Sequence, residues 1–471
     1  MSSKGYTAGI LGCLLFLLTA STALLSFKYG LSLGTVWGGL VACGISVYLA
    51  IRTPQVFLIA VIFAPQWKTH WPFSSVDRVV DLTLITLACL VGCLACRLLA
   101  QLSRLDQLGL GQLFYGQGGP ILAYLLFAAA VTISYLYTTA PEYGASKLLR
   151  FLGIGSILMI APMFLIRTEE DLRRCARMFV FASGVTVLQL IAGLETTNGD
   201  GDVTRIGAGW LVGMAATIVL FYPLFSREST QRVFLVCSMP FFLAGLMASV
   251  ARGPMVALSI VLLIRLVLWF KDGHRHTAVA LTALSIVSGI GAYYFLRDAG
   301  GHKYTTKARE LARLIEGDTT TGSAAARIDF YRSTLAAIPD RPLLGQGAGS
   351  WSVFYYGRDE RAYPHNLFLE VAFEEGLLGL GALLFFLASV CSSIMWLYGE
   401  TKSRHLTLGV LVLYCVVVGM FSGDLDDNRL LWFWIGMTLA VCRTVKLQRL
   451  ESMPWATVRT TAFPRSSWLH S

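Results

Sequence analysis

Residues 253–270 read GPMVALSIVLLIRLVLWF, and this stretch decides the fold class. Its only charged residue is Arg265. At about 1.5 Å of rise per residue, such a helix reaches roughly 27 Å, the thickness of a bilayer's hydrocarbon core. Runs of similar character recur outward from it, at 8–27, 29–51, 54–66, 79–100, 119–139, 148–166, 177–194, 206–225, 233–250, 277–296, 366–397, 406–422 and 430–442. The composition agrees. Of 471 residues, 55% are Ala, Val, Ile, Leu, Met, Phe, Trp, Tyr or Cys and 14% are charged. A soluble domain has about 25% charged residues. A soluble globular protein, a disordered chain and a nucleic-acid binder are excluded, the last despite a net charge of +10. The expected fold is all-α, a polytopic transmembrane helix bundle.

The run 54–66 is short and ends at Pro65, 430–442 is also short, and 366–397 is long enough that it must tilt, kink or project. Residues 8–27 read as a retained first helix, because no small-residue cleavage site precedes the next run. With the N-terminus placed in the cytoplasm, the cytoplasmic segments hold 19 basic residues and the short outer loops 8. The positive-inside rule supports that orientation. Both termini are then cytoplasmic, and 12 or 14 spans fit where 13 do not. Cys89, Cys93 and Cys96 lie close together in one apolar run, without a second pair or a nearby histidine to complete a zinc set.

The expected organisation is a first bundle at 1–296, one long polar outer loop at 297–365, a second bundle part at 366–443 and a basic tail at 444–471. The loop has helical spacing at 303–317, where Ala308, Leu311, Ala312 and Ile315 share a face. A second amphipathic helix at 324–338 is stopped by Pro339 and Pro342. A glycine-rich turn, Gly345-Gln346-Gly347-Ala348-Gly349, follows, and the chain re-enters the membrane through Tyr363-Pro364-His365-Asn366.

Charges near the membrane are costly, so each is a functional candidate. Arg252 stands between two apolar runs with almost no loop. It either clamps an anionic headgroup in bidentate fashion or snorkels and anchors two helices. Arg327 and Arg332 on the loop helix form either a solvated face or a cationic surface that attracts a phosphorylated lipid. His365 is either a general base at a cavity mouth or a cap at a helix start. Glu370 and Glu374, spaced i,i+4 in an apolar run, should have cationic partners: they either pair with Arg252 or Arg327 and orient them, or simply sit above the hydrocarbon. Asp424, Asp426 and Asp427 read as a solvated acidic turn, with a divalent-cation site as the other reading. The glycine run lets the backbone pass close to another element and is weak as a phosphate loop.

In their order along the chain, Ala251-Arg252-Gly253, then Arg327 leading into Pro342-Leu343-Leu344-Gly345-Gln346-Gly347, then His365-Asn366-Leu367-Phe368-Leu369-Glu370 and Glu375-Gly376-Leu377-Leu378-Gly379-Leu380 resemble the bacterial O-antigen ligase and polysaccharide polymerase superfamily. Arg205-Ile206-Gly207 fits loosely, with Gly209-Trp210 where the family has Pro-Asn. The resemblance covers about 200–400. It implies a membrane glycosyltransferase of the GT-C type, in the bacterial inner membrane, whose site faces the periplasm. The implied donor is a glycan on undecaprenyl pyrophosphate, and the implied acceptor is lipid A-core or a growing polysaccharide. The implied reaction is inverting and independent of metal and cofactor. Arg252 and Arg327 then hold the diphosphate and His365 is the base. Arg205, Arg332, Glu370 and Glu374 are further candidates for substrate binding.

Two other functional classes fit a chain with many spans. A transporter or flippase of a lipid-linked or anionic polysaccharide would more often carry its polar residues near the midplane, in broken helices. Here the charged candidates crowd one membrane edge. A structural scaffold would tolerate charge substitutions in the outer loop.

Overall fold

Thr168-Glu169-Glu170-Asp171 shows how the sequence sets the helix boundaries. The Asp171 carboxylate accepts from the Thr168 amide at 3.1 Å while the Thr168 hydroxyl accepts from the Asp171 amide at 3.1 Å. This capping box starts the helix at Glu169, eight residues before its apolar run begins. In the computed structural model, residues 52–67, 81–102, 114–191, 201–224, 228–249, 251–273, 323–401 and 405–451 are described, with isolated positions 48, 276, 279 and 283. The expected spans 8–27, 29–51 and 277–296, the loop helix at 303–317 and the tail beyond 451 lie wholly or almost wholly outside the described residues.

In chain order the helices are α1 (Gln55–Trp67), α2 (Leu82–Leu102), α3 (Gly118–Tyr135), α4 (Pro141–Arg150), α5 (Ser156–Leu165), α6 (Glu169–Ile191), α7 (Gly201–Phe221), α8 (Glu228–Ser249) and α9 (Arg252–Lys271). There follow α10 (Ser323–Ala337), α11 (Trp351–Tyr356), α12 (Leu367–Glu374), α13 (Gly376–Thr401), α14 (Leu406–Gly419) and α15 (Arg429–Glu451). A π-helical turn, Phe151–Gly155, joins α4 to α5, so Pro141–Leu165 is one helical run. No strand occurs among the described residues. Seven helical stretches among them are long and apolar enough to cross a membrane: α2, α3, α4 with α5, α6, α9, α13 and α15. The protein is a multi-pass helical membrane protein, with α1, α7, α8 and α14 as shorter apolar helices.

Two expected spans change character. The run at 430–442 belongs to the longer α15, and every residue from Leu430 to Arg443 is buried, so α15 is the central helix. Gly436 permits this: a Cβ there would lie 2.2 Å from the Met159 carbonyl oxygen of α5. Below the contact, Tyr124, Phe127, Phe151 and Phe386 surround Trp432. The run at 366–397 is two helices. Gly376 takes φ +70°, and a Cβ on it would meet the Leu343 carbonyl oxygen at 2.3 Å. A left-handed residue ends a helix, so α12 stops at Glu374 and α13 begins afresh.

Candidate functional site

His365 has φ +59°, the only positive φ outside glycine among the described residues. That conformation costs a non-glycine residue of order 1–3 kcal/mol and marks a position held for a reason. Its neighbour holds it there. Asn366 Oδ1 accepts from the amides of Phe368 at 3.0 Å and Leu369 at 3.2 Å, so Asn366 is the N-cap of α12. The cap role considered for His365 falls to Asn366. The imidazole stacks on Phe330 with ring centres 6.0 Å apart and meets the edge of Tyr363 at 4.6 Å. Its Nδ1 is buried with no hydrogen-bond partner among the described residues. Burial, reinforced by the Arg327 charge, holds the imidazole down to about 4. The ring is therefore neutral at neutral pH and has a lone pair to accept a proton.

Arg327 and Tyr331 lie one turn apart on α10. Tyr331 Oη donates to the Met420 carbonyl at 3.1 Å and more weakly to that of His365 at 3.3 Å. Burial pulls the Arg327 guanidinium below its ordinary value, and the charge of Arg252 pulls the same way against the offsetting Tyr331 and Tyr363. Arg252 opens α9. Gly253 lies so close to Phe421 that a Cβ would stand 2.9 Å from the phenylalanine Cβ. The turn after α14 thus joins the Arg252 helix, the Arg327 helix and the His365 backbone. Arg205 sits one turn before Gly209 on α7, and a Cβ at Gly209 would stand 2.8 Å from Ala251 Cβ, which brings Arg205 to the same end of the bundle. Arg332 differs: it is exposed, and five residues place it about 140° round α10 from Arg327.

The glutamates do not follow the expectation. Glu370 and Glu374 pair with Lys147, not with Arg252 or Arg327. Lys147 Nζ lies 2.5 Å from Glu370 Oε1, 2.5 Å from Glu374 Oε2 and 3.1 Å from Asp424 Oδ1, with all four side chains at most 1% exposed. Backbone amides complete the cluster: Gly349 donates to Glu374 at 2.8 Å and Leu425 to Glu370 at 3.1 Å. Glu375 accepts from Ser134 at 3.4 Å. Burial pushes the carboxyls of Glu370, Glu375 and Asp424 up. The acidic turn expected in solvent is inside the protein, since Asp424 and Asp426 are buried. Asp426 meets Arg150 at 3.3 Å, and Asp427 pairs with Arg361. Lys147, expected in a short outer loop, escaped the sequence reading. The signal was Tyr143, Lys147 and Phe151 at i,i+4 intervals, which put the lysine on a face with two aromatics.

The glycine run bridges the cluster to α12. Gly345, Gly347 and Gly349 take φ +73°, +104° and +77°. The amides of Gln346 and Gly347 donate at 2.8 Å each to the carbonyls of Phe373 and Glu374, which satisfies the C-terminal end of α12. With the Gly349 amide also committed, the run is a helix clamp.

Residues 237–384 match the family model described as O-antigen ligase. The match contains Arg252, Arg327, His365, Glu370 and Glu374, while Lys147, Arg205 and the Asp424 turn lie outside it. The matched stretch, under a third of the chain, is similar to O-antigen ligases and supports an O-antigen ligase and polymerase superfamily assignment. No curated protein matches the chain at a significant level.

Proposed function

We propose that this O-antigen ligase- or polymerase-type chain transfers a glycan from undecaprenyl pyrophosphate to a sugar hydroxyl, at the periplasmic face of a bacterial inner membrane, with both termini in the cytoplasm. The acceptor is lipid A-core or the end of a growing polysaccharide. The observation that carries this reading is the convergence of Arg252, Arg327 and a neutral His365 at one end of a helical bundle.

In the proposed reaction the two guanidiniums engage the diphosphate. His365 takes the proton from the acceptor hydroxyl as that oxygen attacks the anomeric carbon from the side opposite the diphosphate. The new C–O bond forms while the old one breaks, the configuration inverts, and undecaprenyl pyrophosphate leaves. Negative charge grows on the leaving group, where Arg252 and Arg327 offset it without a metal ion. The diphosphate also bears on His365. Arg327 is one of the two causes that lower the imidazole, so an anion bound to Arg327 raises its basicity as the complex assembles.

The test uses purified protein in vesicles, supplied with an undecaprenyl-pyrophosphate-linked glycan and an acceptor. A new glycosidic bond is expected, lost in Arg252→Ala, Arg327→Ala and His365→Ala at unchanged melting temperature. Arg→Lys at either position is expected to rescue poorly, since a lysine cannot make the bidentate contact. Full transfer by any alanine variant overturns the assignment. Movement of the lipid-linked glycan across the membrane without bond formation would show a transporter instead.

A further inference from the structure

Leu343 and Leu344 belong to the polar loop yet are 60% and 53% exposed. They sit between two membrane-crossing helices. The Leu377 amide donates to the Pro342 carbonyl at 2.8 Å and that of Leu378 to Leu343 at 3.2 Å, which sets the pair beside the first turn of α13. On the other side Tyr137, just past the end of α3, donates its hydroxyl to the Leu344 carbonyl. The span ends that flank the pair are themselves exposed and apolar: Leu377, Leu378 and, after α3, Leu136. Arg341, exposed, precedes Pro342. Five leucines therefore form one apolar surface continuous with the lipid-facing sides of two spans, edged by an arginine and a tyrosine. That is the order of residues met on crossing from acyl chains to headgroups.

We propose that Leu343 and Leu344 are inserted into the outer leaflet of the bilayer and anchor the loop to the membrane. The occupant of this surface is bulk lipid. Non-helical backbone at this depth is tolerable because its polar groups are used: the Pro342, Leu343 and Leu344 carbonyls all accept hydrogen bonds. The anchor has a mechanical consequence. The glycine run that follows Leu344 clamps the C-terminal end of α12, whose N-cap adjoins His365. The depth of the leucines thereby sets the height of His365 above the membrane.

The experiment places a dansyl-bearing amino acid at position 343, and in a second variant at 344, in the full chain reconstituted into phosphatidylcholine–phosphatidylglycerol vesicles. Leu384, 49% exposed on α13, is the in-membrane reference site. Labels at 343 and 344 are expected to emit in the blue, to be quenched at least twofold by 5-doxyl lipid and less by 12-doxyl lipid, and to be nearly insensitive to aqueous iodide. Strong iodide quenching with no doxyl effect overturns the proposal. Blue emission quenched by neither also overturns it, since a second protein surface then covers the leucines. Doxyl quenching abolished by added undecaprenyl phosphate overturns it too, because the surface is then a groove for the donor chain.

Discussion

Lys147→Met removes the ammonium that meets three fully buried carboxyls while keeping a side chain of similar length. In the wild type, that ammonium lies within 3.1 Å of Glu370, Glu374 and Asp424. Breaking a buried ion pair by deleting one partner costs about 3–5 kcal/mol, because the remaining charge is stranded away from water. With a midpoint shift of about 2 °C per kcal/mol for a large chain, the variant is expected to melt roughly 6–10 °C lower at pH 7.5. The pH dependence has a definite sign. Burial already raises Glu370 to about 7, and Lys147 is the first partner that lowers it. Without the lysine the folded-state value climbs further above the unfolded value of about 4.3. A carboxyl raised in the folded state contributes stability at low pH and loses it as pH rises through the folded value. The deficit of the variant is therefore largest at pH 7.5 and shrinks toward pH 5. Adding Glu374→Gln removes one stranded charge and is expected to restore part of the loss. Near-UV circular dichroism melts in detergent at the two pH values read all of this. A variant that melts within 1 °C or so of wild type, or whose deficit grows toward pH 5, refutes the reasoning.

His365 held near 4 predicts that its ¹³C-histidine resonance stays neutral from pH 5.5 to 8 without donor, and that Arg327→Met moves the midpoint up toward the ordinary 6.5, stopping short because burial remains. The linkage sign follows: the folded state binds fewer protons between about 4 and 6.5, so stability falls as pH drops through that window, and His365→Gln removes that slope in acid melts. His365→Gly relieves a positive φ and is expected to melt as high as wild type or up to about 1 kcal/mol more stably while losing transfer. Gly376→Ala drives a Cβ to 2.3 Å from the Leu343 carbonyl at φ +70° and is expected to cost roughly 3 kcal/mol or prevent folding, whereas Gly381→Ala, with nothing within 4 Å, is expected to be neutral or stabilising in the same melts.

Among the described residues, helices were legible where apolarity alone decides them, because a bilayer imposes one length and one composition on every crossing. The loop helix at 324–338 was legible too, and appears as Ser323–Ala337, because prolines stop it and its periodicity is local. Pairing was not. Whether Glu370 meets Arg327 or Lys147 depends on how α4 packs against α12, and the two are separated by more than 200 residues of chain. The acidic turn misled for a related reason. Three aspartates in four residues look solvated, yet Asp424 is enclosed because Lys147 and Arg150 reach it and Asp426 from another helix. The break at Gly376 was foreseeable only as a need to kink, since the carbonyl that excludes a Cβ there belongs to Leu343.

The separation of these two charge systems matters for the proposed chemistry. Had Glu370 and Glu374 paired with Arg327, a diphosphate would have to displace buried carboxylates before binding, and the positive field that lowers His365 would be cancelled. Lys147 and the Gly349 and Leu425 amides hold those carboxylates instead. The same hydrogen bonds fix α12, and α12 begins at the cap that adjoins His365. The buried cluster thus acts as a support: it keeps negative charge paired with Lys147 and sets the proposed base, His365, in place through a helix of eight residues. On this argument Lys147→Met lowers stability and transfer together, whereas Arg252→Ala lowers transfer alone. Measuring both quantities on both variants separates support from chemistry.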